Sequence, residues 1–509
     1  MQTTQRMIVL PDEAIGTINP FLHGHFAEHL GELVYPGVYV GPDSVLPNTG
    51  GIRNDVVDAL RPLGLPVLRW PGGCFADTYH WKDGIGPAVE RPLRVNTHWG
   101  MAEEPNLFGT HEFMAFCQAL GAEPYFAANL GSAAPSETRD WVEYCNFAGK
   151  SALAAQRRAN GSAEPFGVEF WGIGNENWGC GGNMSPQQYA EEFARCRSFV
   201  FDYPGTKVQA VACGANSRDW DWTRGFLEQL HSRGRLGLVQ ALAGHYYCGT
   251  AGTATEYTAE QWLELLAKGA AIEGIVTGHR AIMDEFDPER KIKMIYDEWG
   301  TWHPVETGKP SGGLYQQNTI RDACVAALSL DIFHRHADKL FMANIAQLIN
   351  VLQALLLVEE DQCIKTPTYH VFDLYKPHQG GLSVRLESLS ETISDGGASA
   401  AHCRSCYRDK QPFALQAVSG SASVKGGTLC VSAVNAHPSE PVELDLEVGG
   451  ARLDTAEVVT LSAGEMHAHN TFEQPGTVCL SASVPVGGQN GRLRIPMPAG
   501  SVVRVLGRL

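Results

Sequence analysis

Short apolar runs that end in polar or glycine-rich tips recur along the first three-quarters of the chain, each followed by enough residues for a helix. They are Phe21 to His29, Pro66 to Gly73, Glu123 to Gly131, Phe166 to Phe170, Lys207 to Asn216, Leu242 to Tyr247, Lys291 to Gly300 and Leu340 to Asn350. Between them lie helical periods at His111 to Leu120, Gln187 to Phe199, Ala259 to Lys268 and Asn318 to His334. Ser185-Pro186 starts one of these, with serine as N-cap and proline at the first helical position. Near-continuous apolar strands alternating with helices predict a parallel sheet covered on both faces, and eight such units close a (β/α)8 TIM barrel over residues 21–380. Beyond about residue 380 the period shifts toward two, as in Thr428 to Asn435 and Val502 to Leu506, and Asn490-Gly491 is a hairpin signal. Residues 381–509 therefore read as an all-β sandwich, jelly-roll-like in class. The first 20 residues hold one short strand, Met7 to Leu10, which is expected to close an edge of that sandwich.

Composition narrows the partners. The 509 residues carry 39 basic and 56 acidic side chains, a net charge of -17 without a long basic run. Nucleic acid and anionic membrane surfaces are thereby disfavoured, and a neutral substrate is expected. The N-terminal stretch lacks the apolar core of a signal peptide and no apolar run reaches membrane-spanning length, so the expectation is a cytoplasmic protein. Thirteen cysteines at irregular spacing favour free thiols over a disulfide framework. Cys403 and Cys406 form the one close pair, without the second pair that a zinc site needs. His23, His25 and His29 lack a metalloprotease pattern and are expected to hydrogen-bond in the barrel mouth.

Two strand tips carry chemistry. Gly174-Asn175-Glu176 and Tyr296-Asp297-Glu298 each end an apolar run with a glutamate beside tryptophan and glycine. A lone glutamate there is as readily a rim salt bridge. At the C-terminal ends of strands four and seven, however, two carboxylates face each other across the mouth, where barrel active sites gather. Cleavage of a glycosidic bond needs such a pair, one carboxyl protonating the leaving oxygen and the other attacking the anomeric carbon or activating water. Asn175, beside the first glutamate, can donate to and accept from a sugar hydroxyl. Trp99, Trp178, Trp299 and Trp302 fall in strand-end loops where their faces can stack on sugar rings.

Longer stretches carry a resemblance. His23-Gly24-His25-Phe26-Ala27-Glu28-His29-Leu30, Leu68-Arg69-Trp70-Pro71-Gly72-Gly73-Cys74-Phe75, Gly174-Asn175-Glu176, Tyr296-Asp297-Glu298-Trp299 and Ala346-Gln347-Leu348-Ile349-Asn350 are similar to the α-L-arabinofuranosidases of glycoside hydrolase family 51. The resemblance covers most of the chain. It implies a retaining, exo-acting enzyme on arabinofuranosyl oligosaccharides from arabinan or arabinoxylan, with Glu176 as acid/base and Glu298 as nucleophile. It further implies that Glu28, Arg69, Cys74, Asn175, Tyr247 and Gln347 hold the sugar, that no metal or organic cofactor is required, and that the chain assembles as a homo-oligomer, a hexamer.

The residues leave several points open. Strand alternation admits only one of Tyr246 and Tyr247 to the pocket, and motif position favours Tyr247; Gln347 is preferred over Gln353 because it lies within the eighth strand pattern. Arg69 fits better as a brace for Glu298 than as a sugar ligand. Cys248 to Tyr257 and Thr301 to Tyr315 are expected to shape the aglycone side. The alternatives are an endo-acting glucanase or xylosidase-like hydrolase of the same family, and a carbohydrate-binding protein that kept the barrel and lost catalysis.

Overall fold

In the computed structural model, which describes residues 3–249, 251–394, 414–451, 453–488 and 491–509, eight parallel strands close into a barrel. Cys403, Cys406 and Asn490 lie outside the described residues. In barrel order the strands are Gly24–Phe26, Val67–Trp70, Glu123–Ala128, Phe170–Ile173, Gln209–Asn216, Ala241–Gly249, Lys293–Trp302 and Leu340–Ala346. The barrel is filled from within by Val67, Tyr125, Phe170, Val211, Ala243, Ile295 and Met342, with Phe21 and Phe341 packed against them. With the interior filled, chemistry is confined to the strand ends and their loops.

Local chemistry sets the element boundaries. The helix Pro186–Arg197 begins where Ser185 Oγ accepts from the Gln188 N–H and Gln188 Oε1 accepts from the Ser185 N–H, a reciprocal capping box. Thr319 and Asp322 do the same for Ile320–Arg335. The fourth strand starts at Phe170 rather than Phe166: the Val168 N–H and C=O are both taken by the Asn146 side-chain amide, which supplies the bonds a neighbouring strand would give. Likewise, Pro20–His23 forms a 3-10 turn capped by Asn19, so the first strand shrinks to three residues.

The C-terminal part is a β domain most of whose described strands follow one hydrogen-bonded path, with Val484–Gly487 paired to Thr455–Ser462 beside it. Apolar residues from both ends of that path, among them Leu444, Leu493 and Ile495 with Val458, Val503 and Val505, share one core, so the sheet folds over on itself. The chain's first strand, Thr3–Thr17, lies inside this sheet and not at its edge. It runs antiparallel to Leu382–Ser388 and parallel to Val442–Val448. Met7 and Val9 alternate into the core, and both ladders are satisfied.

The β domain meets the barrel on the helix Ile320–Arg335, which is almost wholly buried. There Asp331 accepts from Ser421 (2.7 Å), Ser432 (2.5 Å) and Tyr375 (3.0 Å), while His334 lies 3.0 Å from Ser421 Oγ and 2.9 Å from His23 Nε2. His23 thus belongs to this interface and His25 packs against Phe372, 4.7 Å between rings; neither stands in the barrel mouth. Among the described residues no helix is long and apolar enough to cross a membrane.

Candidate active site

The site is built on strand ends that the barrel holds at fixed angles. Strand four delivers Asn175 and Glu176 one after the other. Strand seven delivers Glu298, and strand six delivers His245 and Tyr247, two residues apart and hence on the same face. Strand two contributes Arg69 and, past its end, Cys74; strands one and eight lead to Glu28 and Gln347. A cavity of about 770 Å³ opens above them, lined by Glu28, Cys74, Glu176, Tyr247, Glu298 and Gln347 together with Trp99, Trp178 and Trp302. Gly73 lies at the closest approach, where a Cβ would stand 3.0 Å from Glu298 Oε1 and 3.2 Å from Glu28 Oε2.

Glu298 is buried and surrounded by donors. Arg69 Nη1 donates to Oε1 (2.9 Å), the Tyr247 hydroxyl donates to Oε2 (2.8 Å), and His245 Nδ1 stands 3.5 Å from Oε2. Burial pushes its carboxyl up, but His245, Arg69 and the tyrosine hydroxyl outweigh burial and hold it below the ordinary carboxylate value. Burial likewise pushes His245 down, and the charges of Glu298 and Glu176 more than reverse this, so its pKa is raised. Arg69 is shared: Nη2 donates to Asn175 Oδ1 at 2.6 Å, and Nε lies 3.5 Å from Asp297 Oδ2, which also accepts from Tyr125 (2.8 Å).

Glu176 differs from Glu298 in surroundings. Its side chain is 19% exposed, against 6% for Glu298, and its charged neighbour is His245. Oε1 lies 2.8 Å from His245 Nδ1, while Oε2 faces sulfur, 3.6 Å from Cys180 Sγ and 4.0 Å from Cys74 Sγ. Those two sulfurs are joined in a disulfide, which corrects the expectation of free thiols throughout. Their Cα atoms stand 5.6 Å apart, inside bridging range, but 106 residues separate them, so no spacing signalled the pair.

Glu28 is the third carboxyl. It accepts from the Phe75 N–H (3.0 Å), Trp99 Nε1 (2.8 Å) and Gln347 Nε2 (3.1 Å). Burial and the charge of Glu298 nevertheless push it up to about 7. Next to it, His29 accepts from Trp70 Nε1 (3.1 Å), so its proton sits on Nδ1, 2.7 Å from Glu104 Oε2.

The structure brings Glu28, Arg69, Cys74, Asn175, Glu176, Tyr247, Glu298 and Gln347 to this one place, with Arg69 and Asn175 a layer behind the cavity wall. Tyr247 faces the site, whereas Tyr246 donates to the Lys268 carbonyl outside the barrel. Gln353 binds the Thr301 N–H and Asp322 carbonyl and stays clear of the cavity. Trp299 is turned outward onto Phe333, with ring centroids 5.2 Å apart, so only three of the four tryptophans reach the cavity. His245 and Asp77 were not foreseen. Strand alternation with Tyr247 signals His245; Asp77, in a 3-10 turn, has no sequence signal. His303, Pro304 and Leu314 from the Thr301 to Tyr315 segment line the outer cavity.

Among the described residues, two groups of three bring metal-ligating atoms within 4.8 Å of one another, Cys74–Glu176–Cys180 and Glu176–His245–Glu298. The sulfurs of the first are bonded to each other, and the second is the carboxylate pair with the histidine between. The second group therefore places an oxygen of Glu176 within 4.8 Å of one of Glu298.

Comparison with known proteins agrees along the chain. Residues 59–259 match the family description "Alpha-L-arabinofuranosidase 1 domain" and residues 297–501 match "Alpha-L-arabinofuranosidase C-terminal domain". A Bacteroides ovatus protein named an intracellular exo-alpha-L-arabinofuranosidase is 38% identical over 99% of this chain and 95% of its own. The crystal structure of a GH51 arabinofuranosidase from Xanthomonas axonopodis pv. citri is 38% identical, covers both chains fully and superposes with a TM-score of 0.92. An arabinose complex of a Thermotoga maritima α-L-arabinofuranosidase is 29% identical over 99% of this chain and 100% of its own, with a TM-score of 0.86.

Proposed function

The chain belongs to the α-L-arabinofuranosidases of glycoside hydrolase family 51, and on that footing we propose that it removes terminal arabinofuranose from arabinan- or arabinoxylan-derived oligosaccharides with retention of configuration. The observation that carries the reading is the approach of Glu176 to Glu298 within 4.8 Å, the short spacing at which a carboxylate attacks carbon directly. Glu298, kept ionised by Arg69, His245 and Tyr247, attacks the anomeric carbon. Glu176, the more exposed of the two, gives its proton to the departing glycosidic oxygen. The resulting ester removes the charge at Glu298. Glu176, now a carboxylate, takes a proton from water as the water's oxygen bonds to the anomeric carbon, and Glu298 leaves with its electron pair.

Glu28 and Gln347 form the polar floor that a furanose would meet, with the bridged Cys74 sulfur beside them, and Trp178 and Trp302 flank the outer cavity where the rest of the oligosaccharide would lie. The name of the Bacteroides ovatus relative supports action inside the cell and from the chain end. Hexameric assembly is part of the same reading. The exposed Val89, Leu93, Val95 and Met101 offer apolar surface to such contacts.

The test is an NMR time course with 4-nitrophenyl α-L-arabinofuranoside and, separately, a linear arabino-oligosaccharide. The α-anomer of arabinose is expected first from both, with the oligosaccharide shortened one unit at a time. The β-anomer as first product overturns retention, and a ladder of internal fragments overturns exo action.

A further inference from the structure

One buried carboxylate ties together three of the strand-end loops around the site. Asp77 lies in the turn Cys74–Thr78 that follows strand two and is 2% exposed. Its Oδ1 accepts from the N–H groups of Leu130 and Gly131, both at 2.7 Å, in the loop after strand three. Its Oδ2 accepts from the Asn175 N–H at 2.8 Å and from Asn177 Nδ2 at 3.3 Å, in the loop after strand four. The residue between those two anchor points is Glu176.

That loop needs holding. Glu176 has a φ of 44°, in the left-handed region that non-glycine residues rarely adopt and that the surroundings must hold. Asn177 Nδ2 also donates to the Gly181 carbonyl (2.7 Å), and the N–H groups of Gly179 and Gly181 return to the Glu176 carbonyl at 2.7 and 3.1 Å. The loop therefore curls around Asp77 as a hub. Gly181 passes so close that a Cβ there would stand 2.4 Å from Asp77 Oδ2. Burial pushes Asp77 up to about 6 against the pull of its backbone donors, which leaves it chiefly ionised at neutral pH. Asp77 does not line the cavity, so it meets no substrate.

We propose that Asp77 is a positioning residue for the reaction, fixing through Asn175 and Asn177 where the Glu176 carboxyl stands relative to the glycosidic oxygen, and so governing protonation of the leaving group. This rests on the reading of Glu176 as acid/base. The Cys74–Cys180 disulfide joins the same two loops but anchors them beyond Glu176, at the far end of the curl. Asp77 sets the near end, where the side chain departs.

The experiment compares Asp77→Asn, Glu176→Ala and Asp331→Asn on 2,4-dinitrophenyl α-L-arabinofuranoside, which leaves unaided, and on arabinobiose, which needs a proton. Asparagine keeps the shape of Asp77 but turns an N–H toward backbone N–H groups. For Asp77→Asn, kcat/KM on arabinobiose is expected to fall about 30-fold, the worth of one charge-assisted hydrogen bond, while the dinitrophenyl substrate changes less than about threefold. On the dinitrophenyl substrate kcat and KM should fall together, because the same carboxyl acts as base on the glycosyl-enzyme. Asp331→Asn, equally buried but at the domain interface, should leave the ratio between substrates unchanged. Equal losses on both substrates in Asp77→Asn, with Glu176→Ala selective, overturn the proposal alone. A Glu176→Ala enzyme without selectivity overturns the acid/base reading itself. Should Asp77→Asn not fold, Asn177→Ala, which removes one of the two anchors, is expected to show the same split at about fivefold, and no split there overturns the proposal.

Discussion

Arg69 Nη2 donates to Asn175 Oδ1 at 2.6 Å, which fixes the asparagine amide with its oxygen turned inward. Nδ2, 4.0 Å from Cys180 Sγ, is the side of the amide left for a sugar hydroxyl, so on the proposed reading Asn175 would serve as a donor and not in the dual role its chemistry allows. Asn175→Ala removes that donor and leaves a buried guanidinium N–H unpaired. The expected loss in kcat/KM on arabino-oligosaccharides is about 10²-fold. Steady-state kinetics check it, and parent-like values would show the amide to be idle.

Glu298→Ala is expected to retain on the order of 10⁻⁴ or less of the parent activity, since on the proposed reading it removes the carboxylate that forms the ester. Azide, small enough to enter the space left, should restore part of the turnover and give the β-configured glycosyl azide. NMR of that product decides the matter: retained configuration, or full activity without azide, would remove Glu298 from the role.

His245 carries a pH prediction. Its charge is one of the influences that hold the Glu298 carboxyl down. Glutamine can still donate from a similar place but brings no charge. In His245→Gln the Glu298 pKa therefore rises, and the acidic limb of the kcat/KM profile should move to higher pH. A limb that stays in place, or moves to lower pH, would assign the holding to Arg69 and Tyr247 alone.

Asp331 bears on stability. Burial raises its folded-state pKa from 3.8 to about 7. Between those values the folded protein binds a proton that the unfolded chain has released, so the group's contribution to stability falls as pH rises from about 4 to about 7. Replacing Asp331 with asparagine should remove a decline on the order of a few kcal/mol across that window. Urea unfolding at pH 4.5, 5.5 and 6.5 measures it. An undiminished slope would mean that Asp331 titrates like an exposed carboxylate.

The barrel, the β domain and the carboxylate pair were legible because each leaves a periodic or positional trace. Apolar runs give the strands, and the glutamates follow two of them directly. Alternation on strand six separates Tyr247 from Tyr246 and would equally have placed His245, had the period been followed back two residues. What the sequence hid depends on contacts between distant loops. Cys74 meets Cys180 and Asp77 meets Asn175 only because strands two and four lie near one another in the closed barrel. Trp299 misleads for the opposite reason: beside a strand-end glutamate it looks functional, yet the alternation that turns Glu298 inward turns its neighbour out.

The place of Thr3–Thr17 within the C-terminal sheet has a consequence for how the chain is made. Arg6 ends up bonded to Glu447, 441 positions later. During synthesis the first strand leaves the ribosome with both edges open, and its two partners follow only after all eight barrel strands. The barrel can assemble while it waits; the sheet cannot. Vectorial folding thus runs from the middle of the chain outward, and the apolar Met7 and Val9 are exposed for most of that time.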